Sequence, residues 1–228
     1  MIAANGASFS GKSLVVRLDE DSVAADGTFI DDLQVLIEAQ VRPIVVAPTP
    51  AAARDIVRTI NRSTNTAVAL SGSDAAMLPH APSGIGKVQT GILHTLLSAG
   101  YVPVVEPTAF TVFSRDDANV VADDVAMAIA TAVEAVRAIF FHRCGGVADP
   151  ETAKMIDELT PAEALAIAAD PRVALDLRAA IRAAALGVRG GVAAAQIVDG
   201  RVPHAAIVEL LTARHVGTQV TGSIHFAA

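Results

Sequence analysis

Residues Ile197 to Thr212 read IVDGRVPHAAIVELLT. An apolar run from Ala193 to Val198 stops at Asp199-Gly200-Arg201, and helical residues resume from His204 to Thr212 before a last strand around Thr218 to Val220. Strand, tight turn, helix and strand in so few residues is the unit from which a sheet with helical crossovers is built. The same alternation extends upstream. Strands are predicted at Ser13 to Leu18, Pro43 to Ala47, Thr66 to Leu70, Val102 to Glu106 and Ala138 to Phe141. Helices are predicted at Phe29 to Ala39, Ala51 to Ile60, Val88 to Ala99, Asp123 to Val136, Thr160 to Ala169 and Leu175 to Leu186. Thr160-Pro161-Ala162-Glu163 carries a Thr N-cap, a Pro at the first helical position and a Glu at the third, the pattern of a capping box. Phe110 to Phe113 reads as a hairpin arm. The predicted class is α/β, a three-layer αβα sandwich around a mainly parallel sheet. A break near Gly146 to Pro150 divides residues 1–228 into two lobes of one domain, about 1–146 and about 147–228.

Composition agrees with that reading. Apolar residues make up 52% of the 228 and aromatic ones only 4%, so the core is built from Ala, Val, Ile and Leu, as in parallel strands buried under Ala-rich helices. The net charge of −7 gives no attraction to nucleic acid or an anionic membrane. No early segment combines a basic start, an apolar run and a cleavage site, and no apolar stretch reaches a membrane span, so a soluble, cytoplasmic protein is expected. Cys144 is the one cysteine, which excludes an intrachain disulfide and a cysteine zinc site.

Gly6 to Ser13, GASFSGKS, has the spacing of a phosphate loop, in which backbone amides wrap phosphates and a lysine reaches the outer ones. Such a loop follows a core strand. Here the apolar strand comes after the motif, and chance occurrence is the preferred reading. The six histidines show no paired ligand spacing, and no metal site is expected. Cys144, within His142-Arg143-Cys144-Gly145-Gly146, lacks an identifiable base and reads as a buried, inert thiol.

Four segments, in order, resemble the amino-acid kinase family in its N-acetylglutamate kinase branch. Thr66 to Leu78, TAVALSGSDAAML, is similar to its strand and Ser-Gly-x-Asp-Ala turn. Ala99 to Pro107, AGYVPVVEP, is similar to its Gly-Tyr-Ile-Pro-Val-Val strand, Asn119 to Ala126, NVVADDVA, to its Asn-x-Asn-Ala-Asp helix entry, and IVDGRVPHAAIVELLT to its C-terminal Asp-Gly-Arg strand and helix. Gly11-Lys12-Ser13-Leu14 also looks like the family's entry into its first strand. The resemblance implies the amino-acid kinase fold, transfer of a phosphoryl group from ATP with Mg2+ to a carboxylate, and a homodimer or higher homo-oligomer. It assigns catalytic positions to Asp123 and Arg17, substrate positions to Asn119, Ser71 and Gly72, and nucleotide-side positions to Asp199, Gly200 and Arg201. For Asn119 and Asp123 a second reading stands beside this, since an asparagine and an aspartate opening a helix are also ordinary capping residues.

The departures from the family pattern fall on phosphate chemistry. Its Lys-x-Gly-Gly corresponds to Arg17-Leu18-Asp19-Glu20, and its His-Gly-Gly-Gly to Ala47-Pro48-Thr49-Pro50, where two prolines lack amide donors. The second catalytic lysine falls near Asp176, with Arg172 or Arg178 as replacement cations. Between Ile60 and Thr66 the chain lacks the hairpin and helix that close over the acyl substrate. The expected function is that of an acetylglutamate-kinase-like protein of amino-acid metabolism with impaired or absent phosphoryl transfer, acting by binding or assembly. The alternative is an active kinase of an N-acetylglutamate-like carboxylate, in an arginine-type biosynthesis.

Overall fold

The computed structural model describes residues 9–21, 28–82, 84–111, 116–211 and 216–222. Strand β1 (Ser13–Arg17) lies at the centre of an eight-stranded sheet. Helix α1 (Thr28–Glu38) returns the chain to β2 (Arg42–Val46) alongside it, and α2 (Pro50–Asn61) leads to β3 (Ala67–Leu70) at one sheet edge. A ribbon of β4 (His80–Ala81) and β5 (Gly84–Ile85) precedes α3 (Gly91–Ser98) and β6 (Val102–Val105), which inserts between β2 and β3. A second ribbon, β7 (Thr108–Ala109) with β8 (Ala118–Asn119), leads into α4 (Ala122–Ala132) and β9 (Arg137–Phe141), which pairs with β1 on its other side.

The chain continues through β10 (Val147–Ala148), β11 (Met155–Ile156) and β12 (Glu158–Leu159) to α5 (Pro161–Ala168), α6 (Leu175–Arg189), β13 (Ala194–Val198), α7 (Ala205–Leu211) and β14 (Gly217–Thr221). The sheet order is β12-β14-β13-β9-β1-β2-β6-β3. The six strands from β13 to β3 run parallel, and β14 opposes β13.

Side chains alternate between two cores, one per sheet face. Val15 packs with Leu93, Val125, Ala164 and Ile181, so α3 to α6 cover one face. Leu14 and Val16 pack with Leu33, Ile56 and Leu210, so α1, α2 and α7 cover the other. Three layers result, as the alternation of the sequence predicts. Buried positions at Ala53, Ile56 and Ile60 form the inward stripe of α2. The capping box is present: Glu163 N donates to Thr160 Oγ1 at 3.3 Å, and Thr160 N donates to Glu163 Oε2 at 2.8 Å.

Several boundaries differ from the sequence reading. Helix α3 starts at Gly91 rather than Val88, because the Gln89 amide is drawn away to Met77 O before the helix begins. Helix α4 ends at Ala132, four residues early, as Glu134 turns left-handed at φ 52° and redirects the chain into β9. The paired arms of the hairpin are Thr108–Ala109 and Ala118–Asn119; of the Phe110 to Phe113 arm, residues 112 and 113 lie outside the described residues. The two-residue strands β4, β5, β10, β11 and β12 are too short for periodicity to reveal.

Candidate functional site

All six parallel strands end at one edge, so Asp199, His142, Arg17, Ala47, Glu106 and Ser71 follow one another along a single rim. From β1 the chain crosses to β2 on one side, while from β9 it leads toward β13 on the other. This topological switch opens a crevice beyond the carboxyl ends of the two strands, where α/β sheets take their ligands. A cavity of about 260 Å³ lies there, bounded by Arg17, Asp19, Glu20, Asp21, Pro48, His142, Arg143 and Asp176.

Arg17 ends β1 with its guanidinium half-buried. Its Nε stands 2.9 Å from Asp123 Oδ1, close but bent, so neither atom makes a hydrogen bond among the described residues, and its Nη1 donates to Phe141 O at 3.2 Å. Asp123 sits in the first turn of α4, which packs on β1 and β9, and is only 3% exposed. Burial pushes its carboxyl up to about 6; Arg17 opposes the shift, while Asp124 and Asp176 add to it. At neutral pH the Arg17–Asp123 pair therefore lies near the point at which a proton enters it.

The opposite wall comes from the turn after β9, whose Cys144 is exposed rather than buried as expected, because the turn projects it beyond the strand end. Cys144 N donates to His142 Nδ1 at 3.2 Å, so the imidazole carries its proton on Nε2. Burial lowers the His142 pKa against the pull of Asp176, whose Oδ2 is 3.6 Å from Nε2. Asp176, at the start of α6, accepts a 2.9 Å bond from Arg143 Nη2. Burial would raise its carboxyl, but the Leu177 amide, His142 and Arg143 together hold it below the ordinary range. Gly145 adopts φ +71°, a left-handed turn in which a side chain would meet Asp199 Cβ at 3.3 Å. Arg201 Nε and Nη2 grip Asp199 at 2.8 and 2.7 Å, and Nη2 also donates to Arg143 O at 2.7 Å. The Arg201 bonds lower the Asp199 carboxyl. Gly200, between them, is buried.

The sequence-predicted positions thus fall into groups. Arg17 and Asp123 touch each other. Asp199, Gly200 and Arg201 lie one strand beyond β9. Ser71, Gly72 and Asn119 gather at the other end of the rim: Gly72 N donates to Thr108 Oγ1 at 3.0 Å, and Thr108 pairs in register with Asn119. A Cβ on Gly72 would come within 2.2 Å of Thr108 O, so glycine is required there. Five strand spacings, roughly 24 Å, separate Ser71 from Asp199 along the rim. No single small group touches both.

Reading by residue type alone passes over His142, Arg143 and Asp176 as site residues. Their signal is positional: each follows a strand end or opens a helix at the crevice. Of the proposed replacement cations, Arg172 is held by Asp170 at 2.6 Å and, like Arg178, does not line the cavity, where the cation beside Asp176 is Arg143.

Two of the four residues 47–50 after β2 have no amide to offer a phosphate. The Ala47 amide donates to Val105 O, Pro48 and Pro50 have none, and the Ala52 amide is taken by Thr49 Oγ1 at 3.2 Å. In the Gly-Lys-Ser motif, Gly11 N donates to Gln40 O, Lys12 N donates to Phe9 O and Ser13 begins β1. Lys12 therefore stands at the amino end of the strand, roughly 16 Å from the crevice. Residues 6–8 of that motif lie outside the described residues. Among the described residues no three His, Cys, Asp or Glu side chains converge as a metal site, and no helix is long and apolar enough to cross a membrane.

Comparison with known proteins agrees with this architecture. The model of the amino acid kinase family matches residues 24–199. The acetylglutamate kinase of Campylobacter curvus (strain 525.92) is 30% identical over 221 residues, 93% of this chain and 77% of that protein. The acetylglutamate kinase of Prochlorococcus marinus (strain MIT 9303) is 35% identical over 182 residues, 74% of this chain but only 58% of its own length. Among solved structures, N-acetylglutamate synthase from Neisseria gonorrhoeae, complexed with coenzyme A and N-acetyl-glutamate, superposes with a TM-score of 0.80 at 17% identity, over 98% of this chain and 62% of that one. Carbamate kinase from Giardia lamblia bound to AMP-PNP gives 0.66 at 11% identity, over 98% and 100%. These last two share the fold, and the sequence relatives carry the kinship further: the chain belongs to the amino acid kinase family.

Proposed function

We propose that this chain is an acetylglutamate-kinase-like protein of amino-acid metabolism in which phosphoryl transfer is impaired or absent, and which acts by binding or by assembly. The observation that carries this reading is the charge of the crevice. Asp19, Glu20, Asp21 and Asp176 line it against Arg17 and Arg143, and both arginines already face carboxylates. A transferred phosphoryl group needs cations and free amides around its oxygens, each such contact being worth about 3 kcal/mol. Four carboxylates and a proline-capped loop supply the opposite.

On this reading Arg17 and Asp123 keep the catalytic positions of the family, Asn119, Ser71 and Gly72 the substrate end, and Asp199 to Arg201 the nucleotide end. The lobes at 1–146 and 147–228 correspond to those two ends. The protein works in the cytoplasm as a homodimer or higher homo-oligomer. Preservation of the Arg17–Asp123 contact favours the second reading, an ATP- and magnesium-dependent kinase of an N-acetylglutamate-like carboxylate.

The two separate in one assay: ATP and magnesium are titrated with and without N-acetylglutamate while ADP release is followed. No acyl-dependent ADP is expected. Release that depends on N-acetylglutamate and disappears in Asp123→Ala establishes the kinase instead. Light scattering of the same sample reads the oligomeric state.

A further inference from the structure

We propose that the crevice binds a small zwitterion, its carboxylate inward on Arg17 and His142 and its ammonium outward among Glu20, Asp21 and Asp176. This rests on the reading that the crevice does not carry a triphosphate. The cavity is polar in depth as well as in composition. Its floor holds donors: the Arg17 side chain is 16% exposed and that of His142 is 5% exposed. Its mouth holds more acceptors than donors: Glu20 and Asp21 are exposed, and Asp176, its side chain 47% exposed, is paired there with the exposed Arg143.

Each floor group has a direction left to offer. Nε of Arg17 faces Asp123 and Nη1 serves Phe141 O, while Nη2 makes no hydrogen bond among the described residues. His142 spends Nδ1 on the Cys144 amide and keeps Nε2–H, 3.6 Å from Asp176 and too far for a hydrogen bond. A carboxylate placed between these two donors receives charge-assisted bonds in a place shielded from water. An inorganic phosphate would find the same floor but would carry a second negative charge toward a mouth where Asp19, Glu20, Asp21 and Asp176 outnumber the one cation, Arg143. A plain amine would meet the mouth but set a cation against Arg17. A molecule with an anionic and a cationic end satisfies both levels. The cavity, about 260 Å³, equals about nine water volumes and suits one amino-acid-sized molecule.

The test uses the full chain and isothermal titration with L-alanine and 4-aminobutyrate as zwitterions of two lengths. Butyrate, butylamine and inorganic phosphate are the single-headed controls. One of the zwitterions is expected to bind at least about tenfold more tightly than every control. Glu20→Gln combined with Asp21→Asn, both on exposed side chains that leave the core intact, should weaken it about tenfold. Arg17→Gln should abolish it, with circular dichroism checking that the variant folds; where it does not, the mouth variant decides. Phosphate or butylamine binding as tightly as the better zwitterion, an unchanged affinity in the mouth variant, or no heat from either zwitterion overturns the proposal. Acyl-dependent ADP release would sink the wider reading, whereas silence from both zwitterions without ADP release sinks this inference alone.

Discussion

At the scale of the residue, the Arg17–Asp123 contact dominates the energetics of the site. Removing one partner of a buried pair strands the other charge, whereas removing both does not. Asp123→Leu alone should therefore cost about 3–5 kcal/mol in urea denaturation, and Arg17→Met with Asp123→Leu should cost less than that single change. A double variant less stable than the Asp123→Leu single would contradict the pairing. The Asp123 carboxyl also makes stability depend on pH. Its folded value of about 6 lies above the ordinary 3.8, so the folded state binds the proton more tightly. The contribution is fully present below pH 3.8 and fades as pH rises through 6, a loss of about 3 kcal/mol by pH 7. Asp123→Asn removes this fall, so denaturation at pH 5 and at pH 8 should differ less in the variant than in the parent chain. This residue was legible in the sequence by its helix-entry motif. Its partner was legible as well, but the proton balance between them was not, because it depends on burial.

At the scale of the element, two close approaches set how segments join. Gly72 admits no Cβ against Thr108 O, so Gly72→Ala should destabilise by about 1–3 kcal/mol and lower the protection of the Thr108–Asn119 ribbon in hydrogen exchange. A neutral outcome would mean that the ribbon can shift. Asp32 of α1, 1% exposed, accepts backbone bonds from Ala206 and Ile207 at the start of α7 and a 2.7 Å bond from His204 Nδ1. Burial raises the Asp32 carboxyl and His204 holds it back, so this group too stabilises at low pH and loses that contribution as pH climbs through its folded value. His204→Ala removes the counterweight: stability should fall by about 1–3 kcal/mol at neutral pH and decline more steeply with rising pH. Helix starts such as Thr160 were readable from spacing, because a cap is local chemistry. The α1–α7 clasp was not, since 172 residues separate its partners.

At the scale of the whole molecule, the order of strands was the part that sequence alternation could not supply. Alternation announces a parallel sheet, yet whether β6 lies outside β3 or between β3 and β2 depends on crossovers that leave no periodic trace. That order creates the switch between β1 and β9, and with it the meeting of His142, Arg143 and Asp176. One sheet also joins the halves of the chain: β9, from the first, pairs with β13, from the second. A chain cut after Gly146 should therefore yield a 147–228 fragment without cooperative unfolding by circular dichroism, since β13 would lose its only parallel neighbour and bare an edge. A cooperative melt of that fragment would show the second half to be self-sufficient.

The prolines of the loop after β2 have a consequence in time as well as in space. Pro50 opens α2 and Thr49 caps it, so the helix start depends on the same loop in which Pro48 and Pro50 offer no amide. Replacing Pro48 by glycine leaves Pro50 in the way, and replacing Pro50 loosens the first turn that Thr49 now secures. Neither step alone creates a phosphate cradle, and the second one weakens the fold before it gains anything. The loop should act as a ratchet under directed evolution: selection on variants of this chain should elaborate a new ligand in the crevice more readily than it installs a phosphate cradle there.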